Sequence, residues 1–312
     1  MNAATPSPSS ASPVFLRRLR RLLAHPGFRA EPVAVLARAA VWLGCVALKQ
    51  SPRFSLTAGG EQLRVPPDLR YTSVTSFVLR DWSEPELREL AQFVRPGAVF
   101  IDAGANIGLY TLKAARLAGP EGIVVAVEPG EVAADRLAAN VALNRFGTVH
   151  LVRKALSDRN GTAVLHHVSA GGDLQAFSLL GDSATKEGEE VATVTLDTLV
   201  EELKLPRIDV IKMDVEGAEP MVVEGARRSL ERWHPTILFE VNSAILHRRG
   251  ERTDGCWDRL EAMGYRFWRL QQGRLEPIAQ VPDDFCNVIA MHEANHGAAG
   301  MDTAVARKMM TE

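Results

Sequence analysis

The sequence predicts an α/β protein whose central sheet is mostly parallel and is covered by helices on both faces. Apolar runs of strand length alternate along the chain with stretches of helical periodicity. Continuous apolar strands are typical of sheets that are buried on both sides. The chain has 312 residues, of which 46% are hydrophobic, and this is ample for one large core. The apolar runs lie at 99–103, 123–128, 149–152, 208–213 and 236–241.

The stretch before the first of these strands predicts two smaller elements. Residues 54–66 alternate around Gly59 and Gly60, which is the pattern of a short hairpin. Residues 82–87 are predicted to begin a helix with Ser83 as its N-cap, because acidic residues and a proline follow it. That helix is expected to end before Pro96.

Helices are predicted between most of the strands, and the last two strands are expected to differ from the rest. The link between those two strands has no helical pattern, so we expect an antiparallel pair at the sheet edge. The predicted helices lie at 108–117, 133–141, 218–232 and 256–263, and the two final strands at 265–270 and 286–291.

The ends of the chain differ in composition from its body. Residues 1–13 are mostly small or polar and predict a disordered tail. Residues 14–53 predict basic and apolar helices, and their apolar part is too short for the roughly 20 residues of a bilayer span. Such helices either pack on the domain or lie on an anionic membrane surface, so residues 14–50 are a candidate membrane contact. This leaves a domain at 54–292 and a frayed C-terminal tail at 293–312.

The charge distribution and the cysteine content indicate which partners and which cellular compartment to expect. Residues 1–53 carry a net charge of +7, whereas the rest of the chain carries −9. A body of that sign repels polynucleotides, so no nucleic-acid partner is expected. Three widely spaced cysteines do not form a disulfide framework and fit a reducing compartment. We therefore expect a cytoplasmic protein, with the inner membrane face as the site of any peripheral contact.

The loop after the first predicted strand is the first candidate ligand site. Gly104 and Gly108 permit a tight turn into a helix whose N-terminal N–H groups face the ligand. Glu128 ends the second strand, where a carboxylate accepts the hydroxyls of a ribose. Asp102 favours a cationic ligand over a pyrophosphate, and Asn106 replaces the middle glycine of the dinucleotide motif. The loop therefore predicts S-adenosyl-L-methionine, which carries two cationic groups and no phosphate.

The fourth strand supplies the candidate chemistry. Asp214 and Glu216 follow it, and a partly buried carboxylate serves as a base for a hydroxyl acceptor. Asp214 is the first choice for the catalytic residue and Glu216 the second. Carboxylates at long separation are weak evidence for a metal, so no metal site is predicted. Weaker candidates near the acceptor are Lys212, Glu219, Glu240, Asn242 and His247.

Several of these motifs together resemble the FkbM-type S-adenosylmethionine-dependent methyltransferases. The resemblance extends over roughly residues 71–291, with the motifs in order. It implies a Rossmann-like class I methyltransferase sheet of seven strands, the last one antiparallel. It also implies O-methylation of a hydroxyl on a carbohydrate or secondary metabolite, with a small-molecule or glycan acceptor. The motifs are FIDAGANIGLYT at 100–111, VEP at 127–129, ALSD at 155–158, TLDTL at 195–199 and IKMDVEGAE at 211–219.

The resemblance also assigns roles to individual residues. It places Ala155 on the adenine side of the cofactor and makes Glu128 the ribose acid. Residues 130–134 depart from the family pattern, which commonly has Asn, Pro and an aromatic residue there. We expect that departure to loosen packing on the adenine. The cofactor loop is assigned to Asp102, Gly104, Asn106 and Gly108, and the signature fourth strand to Lys212, Asp214 and Glu216.

Two other functions fit parts of the pattern. An NAD-dependent oxidoreductase on a related fold is opposed by Asp102 and by the incomplete glycine motif. A non-catalytic cofactor-binding or scaffold protein is opposed by the intact Asp214 and Glu216, and a turnover assay distinguishes it from an enzyme.

Overall fold

The computed structural model of the protein describes residues 23–167, 177–178, 188–241 and 255–295. Its centre is an eight-stranded sheet with the order β13-β12-β14-β11-β10-β3-β4-β5. The strands of this sheet are β3 (Val99–Ala103), β4 (Ile123–Val127), β5 (Val149–Val152), β10 (Val210–Met213), β11 (Thr236–Val241), β12 (Tyr265–Gln271), β13 (Arg274–Ile278) and β14 (Cys286–His292).

The sheet confirms the predicted class I methyltransferase fold. Strands β5, β4, β3, β10 and β11 are parallel, and β14 runs antiparallel to both of its neighbours, β11 and β12. The predicted antiparallel pair of final strands is therefore present. The link between them adds a short edge strand, β13, which pairs antiparallel with β12. The sheet therefore has eight strands rather than the seven that the resemblance implies.

Alternate residues along the strands enter two separate apolar clusters, one on each face. On β3, Phe100 packs into one cluster and Ile101 into the other. On β10, Val210 and Ile211 divide in the same way. This confirms a sheet buried on both sides and explains its continuous apolar strands.

A second sheet and a hairpin flank the central sheet. The hairpin joins β1 (Arg53–Ser55) to β2 (Gln62–Arg64), as the alternation at 54–66 predicts. The second sheet has the order β6-β9-β7-β8, and no sequence pattern predicted it as a separate sheet. Its strands are β6 (Ala155–Leu156), β7 (Gly161–His167), β8 (Phe177–Ser178) and β9 (Gly188–Val194).

Ten α-helices occur within the described ranges, together with three short 3-10 helices. The α-helices are α1 (Pro26–Ala30), α2 (Pro32–Ala47), α3 (Tyr71–Val78), α4 (Pro85–Arg88), α5 (Leu109–Ala118), α6 (Glu131–Asn144), α7 (Leu196–Leu203), α8 (Glu219–Gly225), α9 (Arg227–Trp233) and α10 (Gly255–Ala262).

Two of the predicted helices are divided. The helix predicted to begin at Ser83 is divided into a 3-10 turn that ends at Ser83 and the short helix α4. The N-cap of α4 is Glu84 and not Ser83. Pro85 restricts the preceding residue to extended backbone, which prevents a helix from starting at Ser83. The helix predicted at 218–232 breaks at Ala226 into α8 and α9.

The N-terminal helices pack against the domain on one side only. Val35 and Trp42 of α2 are buried, and the Trp42 and Phe77 rings lie 4.9 Å apart between α2 and α3. The indole of Trp42 donates a 3.0 Å hydrogen bond to the Asp68 carbonyl. Across the described ranges, every helix is too short or too polar to cross a membrane.

Candidate active site

The loop between β3 and α5 has a backbone shape that its glycines allow. Gly104 has a φ of +76°, and a Cβ there would lie 1.9 Å from the carbonyl oxygen of Asp214. Asn106 is also left-handed, with a φ of +47°, and Gly108 is the N-cap of α5. The loop is thus pressed against the end of β10, where the predicted catalytic carboxylates begin.

Glu128 locks this loop to the end of β4. One carboxylate oxygen of Glu128 accepts the backbone N–H of Asn106 at 2.8 Å, and the other accepts that of Gly130 at 2.9 Å. Burial raises the pKa of Glu128 to about 7, against these two hydrogen bonds, which favour the ionised form. The two bonds fix the orientation of the carboxylate, and each oxygen keeps a lone pair for a ligand hydroxyl.

Asp102 lies beneath the loop rather than in an open space. Its side chain is 2% exposed, and the Thr111 hydroxyl donates to it at 2.5 Å. Burial raises the pKa of Asp102 to about 6, although the hydrogen bond from Thr111 and the charge of Lys212 lower it. Asp102 therefore joins β3 to α5 and supplies negative charge from below the loop.

Lys212 is the buried cation at the centre of the site. The residue is 1% exposed, and its ammonium lies 3.5 Å from a carboxylate oxygen of Asp214. Burial alone lowers the pKa of Lys212, but nearby carboxylates outweigh it and raise the pKa above its ordinary value. The ion pair holds Asp214 at the end of β10 while leaving its carboxylate partly exposed.

Glu216 is held in an unusual backbone conformation. Its φ is +53°, and that of the following Gly217 is +93°. A non-glycine residue in the left-handed region is uncommon, and such strain concentrates at functional sites. The turn directs the chain back into α8, while the buried Glu219 accepts the backbone N–H of Val215 at 3.0 Å.

A cavity of about 520 Å³ lies at the carboxyl ends of β10 and β11. It borders the loop between β3 and α5, which is called the donor loop below, through Asn106 and Leu109. Another of its walls is α3. Strands β12 and β14 supply a further wall. The predicted residues Asp214, Glu216 and Glu240 all line this cavity, so the structure brings them together.

Four further residues of the site were missed by the sequence analysis. The Tyr110 hydroxyl donates to Glu84 at 2.6 Å, and Asn287 donates to Glu86 at 3.1 Å. Burial raises the pKa of Glu84 and of Glu86. The two acids appeared as ordinary first-turn residues of a helix, and only tertiary packing carries them to β10 and β14.

Glu240 titrates far from its ordinary range. Burial raises its pKa to about 9, and the charges of Asp214 and Glu216 add to the rise, while Lys212 opposes it. At neutral pH this carboxyl is mostly protonated. It therefore suits hydrogen-bond donation better than proton abstraction.

A family model described as the methyltransferase FkbM domain matches residues 102–267, which is more than half of the chain. The chain belongs to the FkbM methyltransferase family. It is an S-adenosylmethionine-dependent methyltransferase, and the resemblance to this family that the sequence motifs indicate is confirmed.

Characterised relatives share between a quarter and a third of their aligned residues with this FkbM chain. Methyltransferase sdnD of Sordaria araneosa is 29% identical over 187 residues, covering 48% of this chain and 72% of its own. The 2-O-methyltransferase NoeI of Sinorhizobium fredii is 30% identical over 151 residues, covering 44% and 61%. The hexuronic acid methyltransferase AglP of Haloferax volcanii is 29% identical over 161 residues, covering 51% and 62%. The chain thus matches less than two thirds of the length of NoeI and AglP.

Two solved structures that match the chain are a protein named methyltransferase FkbM and an O-methyltransferase. Methyltransferase FkbM from Methylobacillus flagellatus is 15% identical, with a TM-score of 0.42, covering 82% of this chain and 59% of that one. The O-methyltransferase from Bacillus cereus in complex with SAH is 16% identical, with a TM-score of 0.40, covering 82% and 91%.

The residues around the donor loop fit S-adenosylmethionine. Asp102 at the end of β3 attracts a cationic sulfonium and ammonium, and Glu128 after β4 offers acceptor oxygens to the hydroxyls of a ribose. The side-chain oxygen of Asn106 is buried and has no hydrogen-bond partner among the described residues, so the loop retains a polar atom for a ligand.

The remaining predicted positions lie elsewhere. Ala155 is buried in β6 of the second sheet, where it pairs with Thr193 of β9, and its adenine-side role stays a prediction. Asn242 and His247 lie outside the described residues. Within the described ranges there is no group of three or more His, Cys, Asp or Glu residues that could hold a metal ion.

Proposed function

We propose that this FkbM enzyme methylates a hydroxyl of a carbohydrate or secondary metabolite. The observation that carries the proposal is the shared cavity: Asp214, Glu216 and Glu240 line it, and Asn106 of the donor loop borders it. A methyl donor on the loop side and an acceptor hydroxyl among these carboxyls then lie side by side, which is what an in-line transfer needs.

The donor is held by residues on and beside the loop. Glu128 accepts the ribose hydroxyls, and the loop carries the methionine part past its glycines. S-adenosylmethionine, when bound, supplies the methyl group and the positive charge that makes it transferable. The donor-binding set comprises Asp102, Gly104, Asn106, Gly108 and Glu128, with Ala155 on the adenine side.

Asp214 is the proposed base for the acceptor. Its carboxylate is fixed by Lys212 at 3.5 Å and lines the cavity. When the acceptor oxygen bonds to the methyl carbon, the methyl–sulfur bond of the donor would break and leave a neutral thioether. Asp214 takes the hydroxyl proton and later releases it to water. Glu216 orients the hydroxyl from the next turn.

The rim of the cavity supports a ring-shaped acceptor. Tyr71 and Phe285 both line the cavity, and they are 69% and 63% exposed. Exposed aromatic rings of this kind pack against the apolar face of a sugar while its hydroxyls stay hydrated. The names of NoeI and AglP, a 2-O-methyltransferase and a hexuronic acid methyltransferase, agree with a carbohydrate hydroxyl.

The proposal is tested by transfer of a labelled methyl group. The full chain is incubated with labelled S-adenosylmethionine and metabolite and glycan fractions of the native host, and products are identified by mass spectrometry and NMR. We expect an O-methyl ether on a hydroxyl-bearing product. Transfer only to nitrogen or carbon, or no transfer by a chain that binds the donor, would contradict O-methylation.

We also propose that the catalytic domain extends over 54–292. The β1–β2 hairpin supports the early boundary, because Asn140 and Asn144 of α6 hydrogen-bond to the backbone of Arg64 and Gln62. Limited proteolysis tests this boundary, and loss of donor binding after removal of residues 1–53 would move it toward the N-terminus.

We propose an anionic membrane surface as the partner of α2. Its outward face is apolar, with Val33, Leu36 and Leu43 all more than half exposed, and residues 1–53 carry a net charge of +7. Basic and apolar helices bind anionic interfaces through both features. Co-sedimentation with phosphatidylserine vesicles is expected for the full chain and not for L36E/L43E. Equal sedimentation of both proteins would exclude this face of α2 as the membrane-binding surface.

A further inference from the structure

Carboxyl groups dominate the cavity wall. Among the described residues that line the cavity, five side chains are acidic and one is basic. The basic one, Arg269, is already bound, because its guanidinium contacts both oxygens of the Asp284 carboxylate at 2.7 and 3.2 Å. The acidic lining residues are Glu84, Glu86, Asp214, Glu216 and Glu240.

The cation beneath the wall is also engaged. Lys212 is buried under the cavity and pairs with Asp214. Both of these cations are therefore already paired with a carboxylate, and an anionic group in the cavity would lie beside several acidic side chains. The low dielectric of a cavity strengthens the repulsion between the anion and these acids.

The wall farthest from the donor loop offers hydrogen-bond acceptors. Asn287 on β14 lies opposite Glu240 of β11 in the sheet register, three strands away from β3. Its amide nitrogen is used on Glu86, and its oxygen is buried with no partner in the described part of the chain. The amide oxygen of Asn287 accepts hydrogen bonds, and the carboxyls of Glu86 and Glu240 add acceptor oxygens, which a bound cation would hold in the ionised form. A ligand that fits this wall must bring the donors.

We propose that the acceptor is a hydroxyl compound that also carries an ammonium group, such as an amino sugar or an amino polyol. Glu86 and Glu240 bind the ammonium on either side of Asn287, and the hydroxyl to be methylated lies toward Asp214. This inference rests on the proposed O-methyl transfer. The raised pKa of Glu240 agrees with an ammonium ligand, because a cation beside the carboxyl would favour its ionised form.

The relatives do not predict this acceptor. AglP is named for a hexuronic acid, and a carboxylate on the acceptor would be disfavoured by the acidic lining of this cavity. We therefore expect this chain and AglP to differ in the charge of their acceptors, although the two are 29% identical over 161 residues.

The test compares acceptors by charge. Metabolites of the native host are separated at pH 7 by ion exchange into cationic, neutral and anionic pools, and each pool is offered to the full chain with labelled S-adenosylmethionine. We expect most of the O-methyl label in the cationic pool. Label mainly in the neutral or anionic pool overturns the ammonium acceptor and leaves methyl transfer intact. Label on nitrogen, or none in any pool despite donor binding, contradicts O-methyl transfer and the inference with it.

Variants then test the two acids with the labelled acceptor. E86Q and E240Q each remove a charge-assisted hydrogen bond, so we expect the KM for the acceptor to rise about tenfold while donor affinity is unchanged. E276Q, on the exposed strand β13, is the matched control and keeps the native KM. The N-acetylated form of the acceptor separates charge from shape. It should be a poor substrate for the native chain, and equal KM values for the two forms would overturn the role of Glu86 and Glu240.

Discussion

Two sides of this active site are built differently. The proposed donor side, apart from Ala155, comes from 29 consecutive residues, 102–130. Their positions are set by backbone hydrogen bonds between the loop and β4, by backbone N–H groups that donate to Glu128, and by left-handed glycines. The proposed acceptor side is the cavity wall, and it combines α3, the segment 83–86, the ends of β10 and β11 and the start of β14. These distant segments are joined by side chains, such as Tyr110 to Glu84 and Asn287 to Glu86.

The difference predicts where each side is sensitive. A backbone change on the donor side should disturb the whole loop, because each hydrogen bond depends on the shape of the chain beside it. A side-chain change on the acceptor side should reduce acceptor use and leave donor binding in place. Gly104 and Asp214 touch across the boundary, so substitutions there give the largest effects.

G104A should have the greatest effect. The new Cβ would lie 1.9 Å from the Asp214 carbonyl oxygen, at a φ of +76°, so the loop must move away from β10. We expect a loss of about 3 kcal/mol or more in the free energy of unfolding, with weaker donor binding and turnover. Urea unfolding and calorimetry with S-adenosylmethionine measure both.

G97A is the matched control for G104A. Gly97 has a similar φ of +78°, but a Cβ there meets nothing within 4 Å. It should cost about 1 kcal/mol through backbone strain alone and leave donor binding unchanged. If G104A is no less stable than G97A, the contact between the loop and β10 does not set the position of the donor side.

D214N should separate the two sides most clearly. It removes the proposed base while keeping the shape of the side chain, so turnover should fall by about 100-fold or more. Donor affinity should stay within about threefold, because Glu128 and the loop are untouched. Stopped assays with labelled donor measure the rate. D258N, on the exposed face of α10, should retain native turnover, and a D214N rate within a few fold of D258N would contradict the proposed base.

The relative positions of the proposed donor-side residues are the part of the site that the sequence predicts well, whereas their role in binding the donor stays a prediction. Asp102, the glycines and Glu128 occur in one short motif whose spacing fixes a strand, a turn and a second strand. Their positions follow from local geometry. The role of Asp102 was less predictable, since its bond to Thr111 and its burial appear only when α5 packs on β3.

The acceptor side could not be predicted in the same way. Asp214, Glu216 and Glu240 end strands, and parallel strands end at one edge of a sheet, so these residues were found. Glu84 and Glu86 lie at the start of the one-turn helix α4, and Asn287 lies on the inner strand β14. Their hydrogen-bond partners are more than 25 residues away in the chain. Hydrophobic periodicity carries no information about such contacts.

E128Q should produce a moderate effect that is confined to the donor side. Loss of a carboxylate that accepts the ribose hydroxyls should weaken donor binding about tenfold, with turnover at saturating donor little changed. The pKa of Glu128 is raised to about 7, so native donor affinity should fall as the pH drops from 8 to 6 and the carboxylate becomes neutral. Calorimetry across this range should show a flatter profile for E128Q. An equally steep profile in the variant would assign the titration to another group.

Y110F should have the smallest effect, and it tests the side-chain contact that joins α5 to the acceptor wall. The substitution removes the hydroxyl that donates to Glu84 at 2.6 Å and keeps the ring near Lys212. We expect a loss of about 1 to 2 kcal/mol in unfolding free energy and a rise of a few fold in the KM for the acceptor. Donor affinity should be unchanged. Urea unfolding and steady-state kinetics measure these quantities.

The double variant Y110F/E84Q decides whether this hydrogen bond acts as one unit. If Tyr110 and Glu84 stabilise the wall only through each other, the double variant should lose less unfolding free energy than the sum of the two single losses. Strict additivity would mean that each side chain contributes through other neighbours. The acceptor wall would then be held by packing of its separate segments, and the contrast with the donor side would rest on sequence distance rather than on the kind of interaction.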